Sequence, residues 1–83
     1  LKDFNVNAIT LDNQGNIWIA TNGGSLYKYN PLKVDSSSIS FIANFNGLGV
    51  NSLKSIEFAS NNILFLGSEK GLIKIKIDKK LSK

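Results

Sequence analysis

The 83-residue sequence contains no cysteine and no histidine, and its ten basic residues are all lysines. Without cysteine there are no disulfides and no thiolate nucleophile, and the usual Cys/His zinc sites are excluded. The missing histidine removes imidazole acid–base chemistry and the Ser-His-Asp arrangement. Arginine, which suits phosphate groups and base edges best, is absent as well. We therefore expect a protein that is not an enzyme and that binds no cofactor, metal or nucleic acid.

Long apolar runs are also missing, since no stretch approaches the ~18–20 consecutive apolar residues of a membrane-spanning helix. The chain opens at Leu1 without a signal-peptide pattern, and we expect its numbering to begin inside a longer protein or after processing. The net charge is +4, and five lysines lie in the last ten residues. Such a tail can contact nucleic acid or anionic lipid, but we favour a solvated strand face followed by a soluble terminus.

The sequence repeats itself when it is displaced by 47 positions. Residues 9–24 align with residues 56–71 without a gap, which places Trp18 on Phe65. Ser25 is one extra residue, after which the alignment resumes. An internal repeat of this length is typical of propellers and other repeat architectures.

The matched positions alternate as they do in strands, and glycine and asparagine interrupt every window long enough for a helix. We predict no helix. The predicted strands are 6–11, 16–20, 25–29 and 39–45 in the first unit, and 53–58, 63–67 and 72–78 in the second. Between the first two strands, the Asp12 carboxylate can accept backbone N–H groups and Gly15 can supply a positive φ, so a tight turn is expected there.

Four short strands in about 45 residues suit one blade of a β-propeller. The predicted fold is therefore all-β, with two consecutive four-stranded antiparallel blades, the second lacking its outer strand. We place the first blade with its lead-in at 1–49, the partial second blade at 50–78 and a basic tail at 79–83. Trp18 and Phe65 are expected to pack blade against blade. Because a propeller closes with about four to eight blades, the others must come from further residues or from copies of this chain.

The first unit contains Asp-x-x-Gly-x-Ile-Trp-Ile-Ala-Thr followed by Gly-Gly, and this pattern resembles the two-component regulator propeller repeat. The second unit is a degenerate copy, in which Ala59 replaces the turn aspartate, Asn62 the turn glycine and Phe65 the tryptophan. The structural signature positions of the two repeats are Asp12, Gly15, Trp18, Thr21, Gly24, Phe65, Ser68 and Gly71. They are turn and packing positions, and the resemblance assigns no catalytic residue.

The resemblance implies a sensor. Such repeats form propellers in the periplasmic region of bacterial two-component regulators, and they also occur in extracellular proteins. A glycan or small molecule is the ligand it implies, bound by loops at one end of the completed propeller. The candidate loops are 5–7, 21–25, 51–54 and 68–71. The alternatives are a structural or protein-interaction propeller of a secreted or surface protein, and a ring of several identical chains that acts as a lectin-like binder.

Other sites receive less support from the sequence. No spacing brings two carboxylates into one pocket, as a glycosidase requires. The segment 12–16 lacks the later acidic ligands of a calcium loop, so a hairpin turn is favoured. The Gly47-x-Gly49 pair lacks the third glycine of a dinucleotide site. Tyr27 and Tyr29 share one strand face, which could stack on a sugar ring but is better explained by packing.

Overall fold

The computed structural model describes residues 5–35 and 38–77, and within these ranges the chain folds almost entirely into strands. A 3-10 turn at Asn46–Leu48 is a small exception to the predicted absence of helix. The strands are β1 (Val6–Leu11), β2 (Ile17–Thr21), β3 (Ser25–Tyr29), β4 (Ile39–Asn44), β5 (Leu53–Ser60), β6 (Ile63–Ser68) and β7 (Gly71–Lys76).

The strands form two antiparallel sheets in chain order, with β1-β2-β3-β4 in sheet one and β5-β6-β7 in sheet two. Each predicted strand is present, with ends that differ by up to two residues where they lie in the described ranges. The seven strands and their division into four and three confirm the predicted all-β class and the two antiparallel sheets. Residues 79–83, predicted as a basic tail, lie outside the described residues, as does Asp78 at the predicted end of the last strand.

The two faces of each sheet can be defined by residues at equivalent positions in the repeat. We call the face that carries Trp18 in sheet one and Phe65 in sheet two the front face. The back face carries Ile19 in sheet one and Leu66 in sheet two. Side chains alternate between the faces along a strand, and directly paired residues of neighbouring strands share a face.

The front face of sheet one packs on the back face of sheet two, and the core lies between them. β5 contacts both β1 and β2 in this arrangement. Sheet one contributes Trp18, Ala20 and Leu26 to the core, and sheet two contributes Leu64 and Leu66. Two similar sheets stacked front to back are consistent with neighbouring propeller blades, because each blade of a propeller meets the preceding blade with one face and the following blade with the other.

Trp18 packs between the two sheets as predicted, whereas the packing of Phe65 against a further blade stays a prediction. Trp18 is 1% exposed inside the interface. Phe65 is half-buried on the front face of sheet two, where its paired residues are Glu57 and Lys74, and that face points away from sheet one. The reason is geometric, since equivalent residues of stacked repeats point in the same direction and only one of the two can enter the shared interface.

Candidate functional site

A single carboxylate fixes the most buried aromatic residue to the turn that precedes it. Asp12 Oδ2 accepts a hydrogen bond from Trp18 Nε1 at 2.9 Å. Its other oxygen, Oδ1, accepts the backbone N–H groups of Gln14 at 2.8 Å and Asn16 at 2.9 Å. Partial burial by itself raises the pKa of Asp12, but the hydrogen bonds from Trp18, Asn16 and Gln14 outweigh it and hold the pKa below 3.8. The prediction that residues 12–16 form a hairpin turn is confirmed.

Trp18 contacts both a cation and an aromatic ring. Lys28 Nζ lies 5.6 Å from the centre of the indole ring, and the lysine is buried, with 8% of its surface exposed. Phe58 of sheet two meets the indole edge to face, with 5.6 Å between the ring centres. Cation–π and edge-to-face contacts of this kind favour the electron-rich indole over a smaller apolar side chain. Trp18 therefore contributes an aromatic contact between the two sheets.

The second repeat has lost both partners of the Asp12–Trp18 hydrogen bond. Ala59 stands where the aspartate would be, and Phe65 stands where the tryptophan would be. A phenyl ring has no N–H group, so it leaves no donor to satisfy when the carboxylate is absent. The two replacements are thus chemically consistent with each other.

Hydroxyl groups close the second hairpin turn of each sheet. Thr21 Oγ1 donates to the carbonyl of Ser25 at 2.8 Å and accepts the N–H of the same residue at 3.1 Å. Ser68 Oγ, at the equivalent position, donates to the carbonyl of Gly71 at 2.9 Å. Gly24 lies in this turn of sheet one with φ of 81°, and a Cβ added to it would lie 2.8 Å from Asn46 Oδ1. Four of the signature residues therefore determine the backbone geometry of these turns: Thr21, Gly24, Ser68 and Gly71.

The four candidate ligand loops do meet at one end of the molecule, where they bind one another. Asn7 Nδ2 donates to the carbonyl of Leu53 at 2.8 Å and to Ser52 Oγ at 3.3 Å. Ser52 Oγ donates in turn to Asn22 Oδ1 at 3.1 Å. Glu69 accepts the backbone N–H groups of Asn51 at 2.7 Å and Ser52 at 3.0 Å, and these bonds hold its pKa below the usual value. The side chains of Asn7, Asn22, Ser52 and Glu69 therefore join these loops to one another.

A cleft opens between the sheets at the opposite end, and the sequence reasoning missed it. Its volume is about 490 Å³, and its lining residues are Asp12, Asn13, Gln14, Trp18, Phe58, Asn61, Asn62 and Ile77. Within the described residues, the side-chain amides of Asn13, Gln14 and Asn61 have no hydrogen-bond partner in the protein. The 47-residue repeat could have predicted this site, because it aligns the turn at 12–15 with the turn at 59–62. Turns at equivalent repeat positions lie at the same end of stacked sheets.

The described lining of the cleft offers groups for hydrogen bonding. The amides each provide two N–H donors and a carbonyl acceptor, which suits a neutral polar ligand. Among the described lining residues, Asp12 is the one carboxylate, and both of its oxygens already accept N–H groups. Trp18 is too deeply buried to present a ring face, so the apolar contact comes from the half-buried Phe58.

Tyr27 and Tyr29 lie away from this cleft, on the back face of sheet one. Two rows of paired residues cross that face: Ile9, Ile19, Tyr27 and Phe41 in one, and Leu11, Ile17, Tyr29 and Ile39 in the other. Tyr27 meets Phe41 edge to face at 5.8 Å between ring centres. Ile9, Leu11 and Phe41 remain at least 60% exposed. The tyrosines thus belong to a broad open apolar surface.

Two stacked antiparallel sheets with equivalent turns and equivalent faces are consistent with propeller-like blades. Comparison with known families agrees: residues 3–23, about a quarter of the chain, match the family model described as Two component regulator propeller. The sequence-based recognition of this repeat is confirmed for that segment. No curated protein matches the chain, and neither does any solved structure.

Two further properties concern only the part of the chain described by the structure. Over 5–35 and 38–77 there is no group of three or more His, Cys, Asp or Glu residues placed to hold a metal ion. The same ranges contain no helix of the length and apolarity needed to cross a membrane.

Proposed function

We propose that this chain forms two neighbouring blades of a β-propeller that senses an extracytoplasmic ligand by binding rather than by catalysis. The observation that carries the ligand-binding part is the cleft between the two sheets, with unpartnered amides at its rim. The location and the sensing role are supported by the match of residues 3–23 to the two component regulator propeller repeat. A neutral glycan or a similarly polar small molecule is the ligand that this lining suits best.

The cleft is suited to transmitting a signal because both sheets line it. Asn13 and Gln14 belong to the first hairpin of sheet one, and Asn61 and Asn62 belong to the equivalent hairpin of sheet two. A ligand that bridges these hairpins would favour one relative position of the blades. Only a ligand with different affinity for two arrangements can shift the balance between them.

The proposed site is tested by NMR titration of the ¹⁵N-labelled 83-residue chain with the neutral sugars cellotriose, xylotriose and maltotriose. At least one sugar should shift the amide signals of the two hairpins, 12–16 and 60–63. Asn61→Ala should weaken that sugar by roughly three- to tenfold, as expected for the loss of one hydrogen bond. Asn51→Ala is the matched control, since it removes an exposed amide at the other end. Shifts confined to that other end would refute the proposed site.

The partners in this proposal are further blades. The back face of sheet one carries an uncharged apolar surface. The equivalent residues of sheet two form its back face, which is covered by sheet one. Ile9 and Ile19, for example, are equivalent to Ile56 and Leu66, and these latter two pack into the core. An exposed apolar surface of this extent marks an interaction site. The expected occupant is the front face of a preceding blade, from the same protein or from another copy of the chain.

Sedimentation velocity separates the two sources of that blade. A ring of identical chains requires the isolated chain to associate reversibly as its concentration rises. Phe41→Lys, on the open face, should then weaken association by at least about tenfold, because a buried unpaired charge is costly. Leu32→Lys is the control, since Leu32 is 88% exposed in the connection that follows β3. A chain that stays monomeric excludes the self-assembling ring and leaves other repeats as the partners.

A further inference from the structure

Two Asn-Gly pairs lie in turns at the end of the molecule where the loops bind one another. Asn22-Gly23 belongs to the turn between β2 and β3, and Asn46-Gly47 belongs to the 3-10 turn after β4. Glycine has no side chain to shield its backbone nitrogen, so this nitrogen can attack the side-chain amide carbon of a preceding asparagine. Both pairs therefore have the chemistry for loss of the asparagine amide.

We propose that Asn22 is a modification site, at which the chain converts its own side-chain amide into a carboxylate. The backbone nitrogen of Gly23 bonds to Cγ of Asn22, the Cγ–Nδ2 bond breaks, and the Gly23 proton leaves with Nδ2 as ammonia. Water then opens the resulting succinimide ring at either carbonyl, which leaves aspartate or isoaspartate at position 22. The inference goes beyond the proposed ligand binding, because it concerns the end of the molecule opposite to the cleft.

The peptide unit between Asn22 and Gly23 is not held by hydrogen bonds. Within residues 5–35 and 38–77, neither the Asn22 carbonyl nor the Gly23 N–H has a hydrogen-bond partner, although the Asn22 N–H donates to the carbonyl of Asn5 at 2.9 Å. Attack requires the reacting atoms to approach within about 3–3.5 Å with suitable alignment. This peptide unit can turn toward that arrangement without loss of a hydrogen bond.

Ser52, in the segment that leads into sheet two, activates the carbonyl that is attacked. Its Oγ donates to Asn22 Oδ1 at 3.1 Å and accepts a hydrogen bond from Asn7 Nδ2 at 3.3 Å. Ser52 is buried, with 8% of its surface exposed, so its hydroxyl is held in place before the reaction. Negative charge develops on Oδ1 when the Gly23 nitrogen adds to Cγ, and a positioned donor stabilises that charge.

Asn46-Gly47 lacks both of these features. The Asn46 carbonyl accepts the N–H of Gly49 at 2.9 Å, so rotation of this peptide unit would break a hydrogen bond. Asn46 Oδ1 lies against Gly24, where it would be 2.8 Å from an added Cβ, and no donor in the described part of the chain binds it. The fold therefore directs the modification to Asn22 rather than to Asn46.

The product changes the contact between the loops of the two sheets. The backbone N–H of Ser52 already donates to Glu69 at 3.0 Å, so a carboxylate at position 22 would be the second one bound to this serine. Like charges at such short range repel each other. Isoaspartate also lengthens the backbone of the turn by one carbon atom. The modification thus loosens the junction at Ser52.

The test is incubation of the intact 83-residue chain in mildly alkaline buffer, with peptide-mapping mass spectrometry to follow both asparagines. In guanidinium chloride the two Asn-Gly pairs should react at similar rates, because only local sequence acts there. In the folded chain, the ratio of the rate at Asn22 to the rate at Asn46 should be at least about threefold higher than in the denaturant. Gly23→Ala should abolish the reaction at Asn22 over the same period.

Serine variants test the role of the hydroxyl group. Ser52→Ala should slow the reaction at Asn22 by about three- to tenfold and leave Asn46 unchanged, and Ser52→Thr should restore the rate, with circular dichroism showing that each variant is folded. Ser60→Ala is the matched control, since it removes a hydroxyl bound to an asparagine side chain at the other end. Equal rate ratios in folded and unfolded chains, faster reaction at Asn46, or an undiminished rate in folded Ser52→Ala would each overturn the proposal.

Discussion

The hydrogen bond between Asp12 and Trp18 allows a quantitative test of how the repeat is stabilised. The perturbation is a double-mutant cycle of Asp12→Ala and Trp18→Phe, which are the replacements that the second repeat carries at Ala59 and Phe65. Phenylalanine keeps most of the ring volume. The variant should therefore remain folded, and the effects should report the hydrogen bond more than a general collapse of the core.

The expected magnitudes come from the contacts of the two residues. Trp18→Phe removes part of a ring that is 1% exposed, and it should cost about 2 kcal/mol in the free energy of unfolding. Asp12→Ala leaves the buried indole N–H without its acceptor and also removes two bonds to the turn backbone, for about 2 kcal/mol. The double variant has no indole N–H to satisfy, so its cost should be about 3 kcal/mol, smaller than the sum by about 1 kcal/mol.

The assay is equilibrium urea unfolding followed by far-UV circular dichroism, because Trp18 is the single tryptophan and its fluorescence is lost in two of the variants. A coupling free energy near 1 kcal/mol supports the reasoning. Strict additivity would refute it, since the carboxylate and the indole would then stabilise the sheet independently of each other.

Other predictions concern acid stability and the turn glycines. The folded-state pKa of Asp12 lies below its usual 3.8, so its contribution is fully present above that value and is lost as the pH falls through the folded-state pKa. The stability difference between the native chain and Asp12→Asn should therefore shrink between about pH 5 and about pH 2 in acid-dependent urea titrations; a constant difference would contradict the assignment. Gly24→Ala should destabilise the chain by about 2 kcal/mol or more in thermal unfolding, because the added Cβ meets Asn46 Oδ1 and the Val50 carbonyl at a positive φ. Gly15→Ala, with φ of 85° but open space around it, should cost only about 1 kcal/mol, and equal costs for the two glycines would show that the close approach at Gly24 does not matter.

Local sequence was sufficient to predict the strands and the turns. Alternation of apolar residues marks a strand whatever it packs against, and the Asp12 and Gly15 turn is built from contacts only a few residues apart. The 47-residue displacement predicted two similar units for the same reason, because each unit is stabilised by its own repeated local pattern. The resemblance of the first unit to a propeller repeat followed from these residues as well.

Only the tertiary structure decided which face of each repeat is covered. The sequence placed Trp18 and Phe65 at equivalent positions, but stacking the sheets front to back buried the first and left the second on an open face. The cleft between 12–15 and 60–62 likewise depends on how the two sheets are set against each other. Contacts between residues nearly fifty positions apart depend on how sheet one packs on sheet two. The periodicity within each strand carries no information about that packing.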